Sequence, residues 1–170
     1  MKKELTFLVA VTIAGCTSQP KALTDIEKDS IINEVKKDFY TMVEACNSAD
    51  LNSALQLYLD SPEFLGIASD GSIVDYPQFR KANEEYFGAI ASQKFVTTKE
   101  SFKFLDDNLI LSAWQGTNEA VLKSGEKMTF SSFGVTSLFK KIDDKWKVVY
   151  FHESGLPPTV TSDSTAALSQ

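Results

Sequence analysis

The sequence predicts an α+β domain in which helices lie on one face of a curved antiparallel sheet. The N-terminal half contains three segments whose apolar residues recur at three- and four-residue spacing, the pattern of helices that bury one face. The C-terminal half contains long segments rich in β-branched and aromatic residues, separated by short polar turns, which is typical of an antiparallel meander. Because helices and long strands occupy separate blocks of the chain, an α+β architecture is favoured over an alternating one.

Three helices are predicted, over about residues 25–46, 51–59 and 76–91. Thr24 or Asp25 can cap the first helix and Asp50 the second, because short side-chain oxygens accept hydrogen bonds from the free N–H groups of a first turn. Pro62 ends the second helix. Pro77 lies in the first turn of the third, where a backbone N–H is not needed.

Six strands are predicted, at residues 63–68, 73–74, 94–105, 109–122, 127–142 and 145–154. Polar turns separate them, such as the S-D-G-S at 69–72 and Asp143-Asp144. The stretch that follows Gly155 is rich in Pro, Ser and Thr. We therefore expect one domain over residues 25–157 and a disordered tail over residues 158–170.

Apolar residues occupy both faces of the last strands. In the last strand, Val149 and Phe151 alternate with Val148 and Tyr150. An antiparallel sheet with one face in water should instead alternate between apolar and polar residues. The pattern therefore predicts that the helices cover one face and a second subunit covers the other, in a homodimer.

The N-terminus has the composition of a secretory signal: Lys2 and Lys3, an apolar run over residues 5–14, then small residues before Cys16. Cys16 resembles the lipidated cysteine of bacterial lipoprotein precursors. That resemblance implies a signal peptide at residues 1–15, a lipidated tether at 16–24 and anchoring in the cell envelope. Thr17 after the cysteine indicates the outer membrane, facing the periplasm, by analogy with lipoprotein sorting in enteric bacteria. A conventional secretory signal and an uncleaved anchor are the alternatives.

Composition excludes several functions. The net charge is −6 and no cluster of Lys or Arg is present, so nucleic acid is not an expected partner. The single histidine, His152, stands without clustered carboxylates or thiols, so we expect no metal site. No phosphate loop or dinucleotide fingerprint occurs, and no cofactor is expected. Cys46 lies on the apolar face of the first helix and is interpreted as a small core residue.

The C-terminal segment T-S-L-F-K-K-I-D-D-K-W-K-V-V-Y-F-H-E-S-G, at 136–155, resembles the end of a nuclear transport factor 2-like domain. More narrowly it is similar to the SnoaL-like branch, which includes the association domain of calcium/calmodulin-dependent kinase II. The order of a long helix, then N-S-A-D-L-N-S-A-L-Q-L-Y, then S-D-G-S agrees with this. The resemblance implies a cone-shaped, cystatin-like sheet wrapped around N-terminal helices, usually dimeric, with a pocket between them.

The resemblance also implies which side chains face the pocket. The positions concerned are Arg80, Ser137 and Glu153, with Trp114, Gln115 or Gly116 from the fourth predicted strand. Strand parity then places Val135, Val149 and Phe151 on the concave side, and Tyr150 and His152 on the opposite face. Trp114, Phe133 and Phe151 can line the pocket for an apolar ligand, or they can form ordinary core.

Glu153 has three possible roles. It can form a buried ion pair with Arg80, contact a ligand, or act as a general base or acid, because an apolar cavity raises the pKa of a carboxyl group. His152 is interpreted mainly as an interior or interface residue. In a catalytic scheme, Glu153 or His152 would be the base, and Tyr40 or Tyr150 would donate a hydrogen bond.

These features predict an envelope-anchored domain that binds a small, mostly apolar molecule or serves as a dimeric module. One alternative is an isomerase, dehydratase or hydrolase of the ketosteroid-isomerase type. The other is a protein-interaction module of an envelope complex, whose cavity would be filled by its own side chains. The fold alone does not separate them, because it supports many functions.

Overall fold

The structure, a computed structural model, describes residues 23–162. The predicted signal peptide, Cys16 and most of the predicted tether therefore lie outside the described residues. The helices are α1 (Asp25–Asn47), α2 (Leu51–Leu55) and α3 (Tyr76–Ala89). The strands are β1 (Leu65–Ile67), β2 (Ile73–Val74), β3 (Ile90–Asp106), β4 (Leu109–Leu122), β5 (Lys127–Ile142), β6 (Lys145–Gly155) and β7 (Thr159–Thr161).

Local side-chain chemistry fixes the start of each long helix. Thr24 caps α1 and forms a reciprocal capping box with Glu27. Asp75 caps α3 in the same way with Gln78, and Pro77 lies in its first turn. These caps satisfy N–H groups that would otherwise lack partners at a helix start.

The second helix is shorter than the predicted span of residues 51–59. It ends at Leu55, and the chain then pairs with β6: the N–H of Val148 donates to the carbonyl of Leu57, and the N–H of Leu59 donates to the carbonyl of Val148. Pairing with a distant strand has replaced the last helical turn, and it places Tyr58 beside the sheet.

The strands form one mixed sheet in the order β2-β1-β6-β5-β4-β3, with β7 on the free edge of the first part of β5. The meander β3–β6 is antiparallel, as predicted. One pairing differs from the predicted antiparallel arrangement, because β1 pairs parallel to β6. The tail expected from residue 158 also differs, because Thr159–Thr161 hydrogen-bonds along β5 instead of leaving the domain.

A bulge at Val149 changes the side-chain parity of β6. Tyr150 pairs with Leu138 and Val148 with Phe139, so Val149 has no partner of its own on β5. Val148 is therefore buried, whereas sequence parity placed Val149 on the concave side. Beyond the bulge Phe151 faces inward, as expected.

The main core lies between α1 and the concave face of the sheet. Its buried residues from α1 are Val35, Phe39 and Val43, and they pack with sheet residues that include Ile110, Phe139 and Trp146. Helices on one face of a curved, unclosed sheet confirm the α+β class and the predicted architecture. Within residues 23–162, no helix is long and apolar enough to cross a membrane.

Candidate functional site

A cavity of about 300 Å³ opens between the concave face of the sheet and helices α1 and α3. Its wall is mainly apolar and aromatic, with Phe39, Phe79, Trp114, Phe133 and Phe151 among its members. The alternation of the strands explains this composition, because away from the bulges every second residue of β4, β5 and β6 points toward the helices. Such a wall suits a small, largely apolar molecule.

Glu153 is the carboxyl group in the cavity wall. It lies near the end of β6 and pairs across the strands with Val135, which in turn pairs with Trp114. Loss of solvent raises the pKa of Glu153 to about 7, while a hydrogen bond with the backbone of Ser69 opposes part of that rise. None of the ion pairs among residues 23–162 includes Glu153.

Tyr58 brings a phenol to the same cavity. Burial raises the pKa of Tyr58, and the neighbouring acidic groups Cys46 and Glu153 add to this effect when they are ionised. The phenol therefore stays protonated at neutral pH and keeps a proton to donate. The short α2 and the pairing of residues 57–59 with β6 are what place Tyr58 here.

A cluster of three polar side chains forms a second polar region of the wall. The hydroxyl of Tyr86 donates to Oε1 of Gln93 at 2.8 Å, and Nδ2 of Asn118 lies 3.2 Å from the Tyr86 oxygen and 3.5 Å from Gln93 Oε1. Nε2 of Gln93 donates to the main-chain carbonyl of Cys46 at 2.6 Å. The cluster thus connects α1, α3, β3 and β4.

Cys46 also lines the cavity. Burial raises the pKa of its thiol to about 12. The thiolate is the nucleophilic form of cysteine, so this side chain is an inert part of the wall at neutral pH.

The cavity can hold an apolar molecule, and the carboxyl group of Glu153 can exchange one proton with it. A carboxyl group with a pKa near 7 is present in both protonation states at neutral pH, as a general acid or base requires. Among the described residues, no group of three or more His, Cys, Asp or Glu side chains could hold a metal ion.

The family profile of the SnoaL-like domain matches residues 32–159, which include the cavity wall and nearly all of the sheet. The chain belongs to the SnoaL-like family. This confirms the resemblance that the C-terminal segment indicated. No curated protein sequence matches the chain.

Solved structures of the nuclear transport factor 2-like superfamily share the fold of this SnoaL-like domain. A superfamily protein from Salmonella enterica has a TM-score of 0.64 at 15% identity, covering 84% of this chain and 99% of its own. A candidate scytalone dehydratase from Novosphingobium aromaticivorans has a TM-score of 0.71 at 6% identity, covering 80% and 91%. A candidate calcium/calmodulin-dependent protein kinase II association domain from Xanthomonas campestris has a TM-score of 0.62 at 22% identity, covering 73% and 86%. At these identities the likeness shows the fold alone.

The structure of the SnoaL-like domain places most of the candidate binding residues in the cavity wall. Those that line it are Trp114, Phe133, Ser137, Phe151 and Glu153. Arg80 does not reach Glu153. Its Nε instead donates to Glu84 at 2.8 Å on the outside of α3, because a partner one turn away is available without burial. Gln115 and the cavity lie on opposite sides of the sheet, since Gln115 is exposed between the buried Trp114 and Gly116.

The other catalytic candidates lie outside the cavity. Tyr40 donates a hydrogen bond to Glu100, which also pairs with Lys36, at the margin of α1 and β3. His152 is exposed and Tyr150 is half-buried, and neither lines the cavity. Of the four catalytic candidates, only Glu153 lines the cavity.

Sequence reasoning missed several polar residues of the wall, among them Tyr58, Tyr86, Gln93 and Asn118. Asn118 had a usable signal, since it shares strand parity with Trp114 on β4 and so interrupts an inward-facing apolar series. Tyr86 follows Phe79 and Ala82 at helical spacing, which predicts a place in the apolar stripe of α3 and not in a polar cluster. No local signal marked Gln93, because its partners lie on three other elements.

Proposed function

We propose that this SnoaL-like domain binds a small, mostly apolar molecule in the cavity between the sheet and the helices. The observation that carries the proposal is an open cavity of about 300 Å³ with an aromatic wall and a few polar positions, which include Glu153 and Asn118. An apolar body would be held by the aromatic residues, and the polar positions would orient it. An interaction module with a self-filled cavity gains no support from this geometry.

Native mass spectrometry of the gently purified protein tests the proposal. We expect a constant extra mass in the wild-type protein. A Val135→Trp variant fills the cavity from β5 and should lose that mass. Thr136→Trp is the matched control, because the neighbouring residue is exposed on the opposite face of the sheet. Retention of the same mass by Val135→Trp would show that the molecule is bound elsewhere.

We also propose that the domain is anchored in the bacterial cell envelope through a lipid on Cys16, in the outer membrane facing the periplasm. The N-terminal composition supports this proposal. Metabolic labelling with an alkyne-bearing fatty acid should mark the wild-type protein and Cys46→Ser, but not Cys16→Ser. Equal labelling of Cys16→Ser and wild type would contradict anchoring at this residue.

A homodimer is proposed through the outer face of the sheet. Strand register aligns four apolar residues across four neighbouring strands: Leu65, Tyr150, Leu138 and Leu111. Leu138 lies between the buried, inward-facing Ser137 and Phe139, so its own side chain points away from the cavity. A continuous apolar row of this kind on a sheet face favours burial against a partner, and a second copy presents the same row.

Acid–base catalysis is the second candidate function. It is favoured by one observation, the carboxyl group of Glu153 with a pKa of about 7 inside the cavity that Tyr58 also lines. Glu153 would remove or return a proton, and Tyr58 would donate a hydrogen bond to the developing oxyanion. An isomerase or dehydratase of the ketosteroid-isomerase type uses such chemistry.

Exchange of the acidic C–H protons of 2-tetralone in heavy water tests this second function by NMR. We expect exchange to be faster with wild-type protein than with Glu153→Gln, which keeps the size of the side chain but cannot accept the proton. An exchange rate that is equal with both proteins would contradict the proposed catalysis and would not affect the proposed binding function.

A further inference from the structure

We propose that Asn118 selects ligands that carry a hydroxyl or N–H group, with its Oδ1 accepting a hydrogen bond from that group. The inference rests on the proposed function, because it names the class of molecule that the same cavity would bind. It depends on the direction of each hydrogen bond in the cluster of Tyr86, Gln93 and Asn118.

The direction of the hydrogen bonds is set by the backbone of α1. The main-chain carbonyl of Cys46 can only accept, so Gln93 must present its NH₂ group there, at 2.6 Å. The carbonyl oxygen of Gln93 then faces Tyr86 and Asn118. The single hydroxyl proton of Tyr86 goes to that oxygen at 2.8 Å.

These bonds leave only one orientation for the amide of Asn118. Its NH₂ group faces two oxygens, the Tyr86 hydroxyl at 3.2 Å and Gln93 Oε1 at 3.5 Å. A flipped amide would bring two carbonyl oxygens together and would remove a donor from the cluster. Oδ1 of Asn118 is therefore the acceptor that remains, and no donor among residues 23–162 reaches it.

A buried hydrogen-bond acceptor that has no donor destabilises the folded protein. Asn118 is only 3% exposed, and a buried oxygen that has left water needs a donor to recover the lost hydration. Oδ1 is itself covered in this structure, so the wall beside it must shift slightly to admit a donor. A ligand that supplies the donor gains the bond and also removes the cost.

The same geometry excludes one class of head group at this position. Carboxylate, sulfate and fully ionised phosphate monoesters present only acceptor oxygens, and these would face the Asn118 oxygen unfavourably. Alcohols, phenols, and primary or secondary amines and amides all carry a proton that they can donate. The structure therefore favours an apolar molecule that carries a hydrogen-bond donor, such as a phenol or an apolar alcohol.

One other buried side-chain oxygen lacks a partner among the described residues, and it provides a control. Ser112 lies on β4, is 1% exposed, and pairs across the strands with Ser137. Unlike Asn118, it is not part of the cavity wall. Removing its hydroxyl should therefore leave ligand selection unchanged.

Equilibrium dialysis of two probes of the same shape tests the inference on the full chain. 2-Naphthol carries a donor where 2-methylnaphthalene carries a methyl group. The measured quantity is the ratio of the two dissociation constants, compared among wild type, Asn118→Leu and Ser112→Ala. Comparing ratios removes the intrinsic difference in hydrophobicity between the probes, because that difference is common to all three proteins.

We expect the relative preference for 2-naphthol to fall about tenfold in Asn118→Leu, the size of one buried hydrogen bond, and to stay unchanged in Ser112→Ala. A ratio that is the same in Asn118→Leu and wild type would overturn the inference and leave the binding function intact. Failure of both probes to bind wild type would overturn the apolar-ligand function itself, and the inference with it.

A second measurement needs no variant and covers the case in which Asn118→Leu does not fold. In wild-type protein, the side-chain NH₂ resonances of Asn118 should shift on addition of 2-naphthol and much less on addition of 2-methylnaphthalene. Equal shifts with both probes would contradict a hydrogen bond at this amide.

Discussion

Phe151 occupies the space that a side chain at Gly66 would fill. The two residues pair directly across the parallel strands β1 and β6, and a Cβ atom at position 66 would overlap the ring of Phe151. The ring lies 4.9 Å from that of Phe79 and forms part of the cavity wall. The shape of the cavity therefore depends on the absence of a side chain on the neighbouring strand.

Gly66→Ala should destabilise the protein and reduce the cavity. The added methyl group must push the Phe151 ring toward the helices, and overpacking of this kind costs about 1–3 kcal/mol. Thermal unfolding measures the loss of stability, and native mass spectrometry measures any loss of the bound mass.

Gly88→Ala is the matched control for this substitution. Gly88 lies in α3 with no atom near the position of an added Cβ, and alanine favours a helix over glycine by up to about 1 kcal/mol. The control should be as stable as wild type or more so. Equal stability of Gly66→Ala and Gly88→Ala would show that Phe151 has free space to move into.

Glu153→Gln should stabilise the protein at alkaline pH but not at acidic pH. Burial raises the pKa of Glu153 from 4.5 to about 7, so between these values the unfolded chain releases a proton that the folded chain retains. The free energy of unfolding of wild type therefore falls as pH rises through this window, by up to about 3 kcal/mol, and the loss is complete above about pH 7. Glutamine carries no such charge.

Urea unfolding of wild type and Glu153→Gln at about pH 4 and about pH 8 measures the effect. The difference in free energy of unfolding between the two proteins isolates the contribution of this one residue at each pH. Glu119→Gln, which changes an exposed carboxylate on the opposite face of β4, is the control and should show little change in this difference. If Glu153→Gln raises the free energy of unfolding equally at both pH values, the Glu153 carboxyl group must be exposed to water.

Local chemistry made much of the fold predictable. The polar turns at 106–108, 123–126 and 143–144 set the limits of β4 and β5, and the structure has both strands at the predicted residues. The predicted caps Thr24 and Asp50 mark the starts of α1 and α2 for the same reason. Pairing between distant segments was not predictable: the parallel register of β1 on β6 and the bulge at Val149 depend on contacts that no local pattern encodes.

The site was only partly predictable, for the same physical reason. Strand alternation and the family resemblance indicated residues such as Trp114 and Glu153, because inward positions repeat every second residue. The Arg80–Glu153 contact was not found, since Arg80 has a nearer partner on its own helix. The position of Gln93 depends on a backbone carbonyl 47 residues away, which no spacing rule reveals.

Leu138→Glu should convert a homodimer to a monomer. Leu138 lies within the outer apolar row, where a charge would lose its hydration against a second copy. Sedimentation velocity should show a dimer for wild type and a monomer for the variant. Val160→Glu, on the exposed strand β7 and outside that row, should remain a dimer. A wild-type monomer at micromolar concentration would contradict the proposed interface.

The thiol of Cys46 should react slowly with an aromatic disulfide reagent in the folded protein. Burial raises its pKa to about 12, so at about pH 8 its thiolate fraction is on the order of a thousandfold below that of a free cysteine. The measurement uses Cys16→Ser, in which Cys46 is the only thiol, with the guanidinium-unfolded chain as the fast reference. Rapid reaction of the folded protein would mean that the cavity wall opens readily at α1. Cys46 would then become a candidate nucleophile.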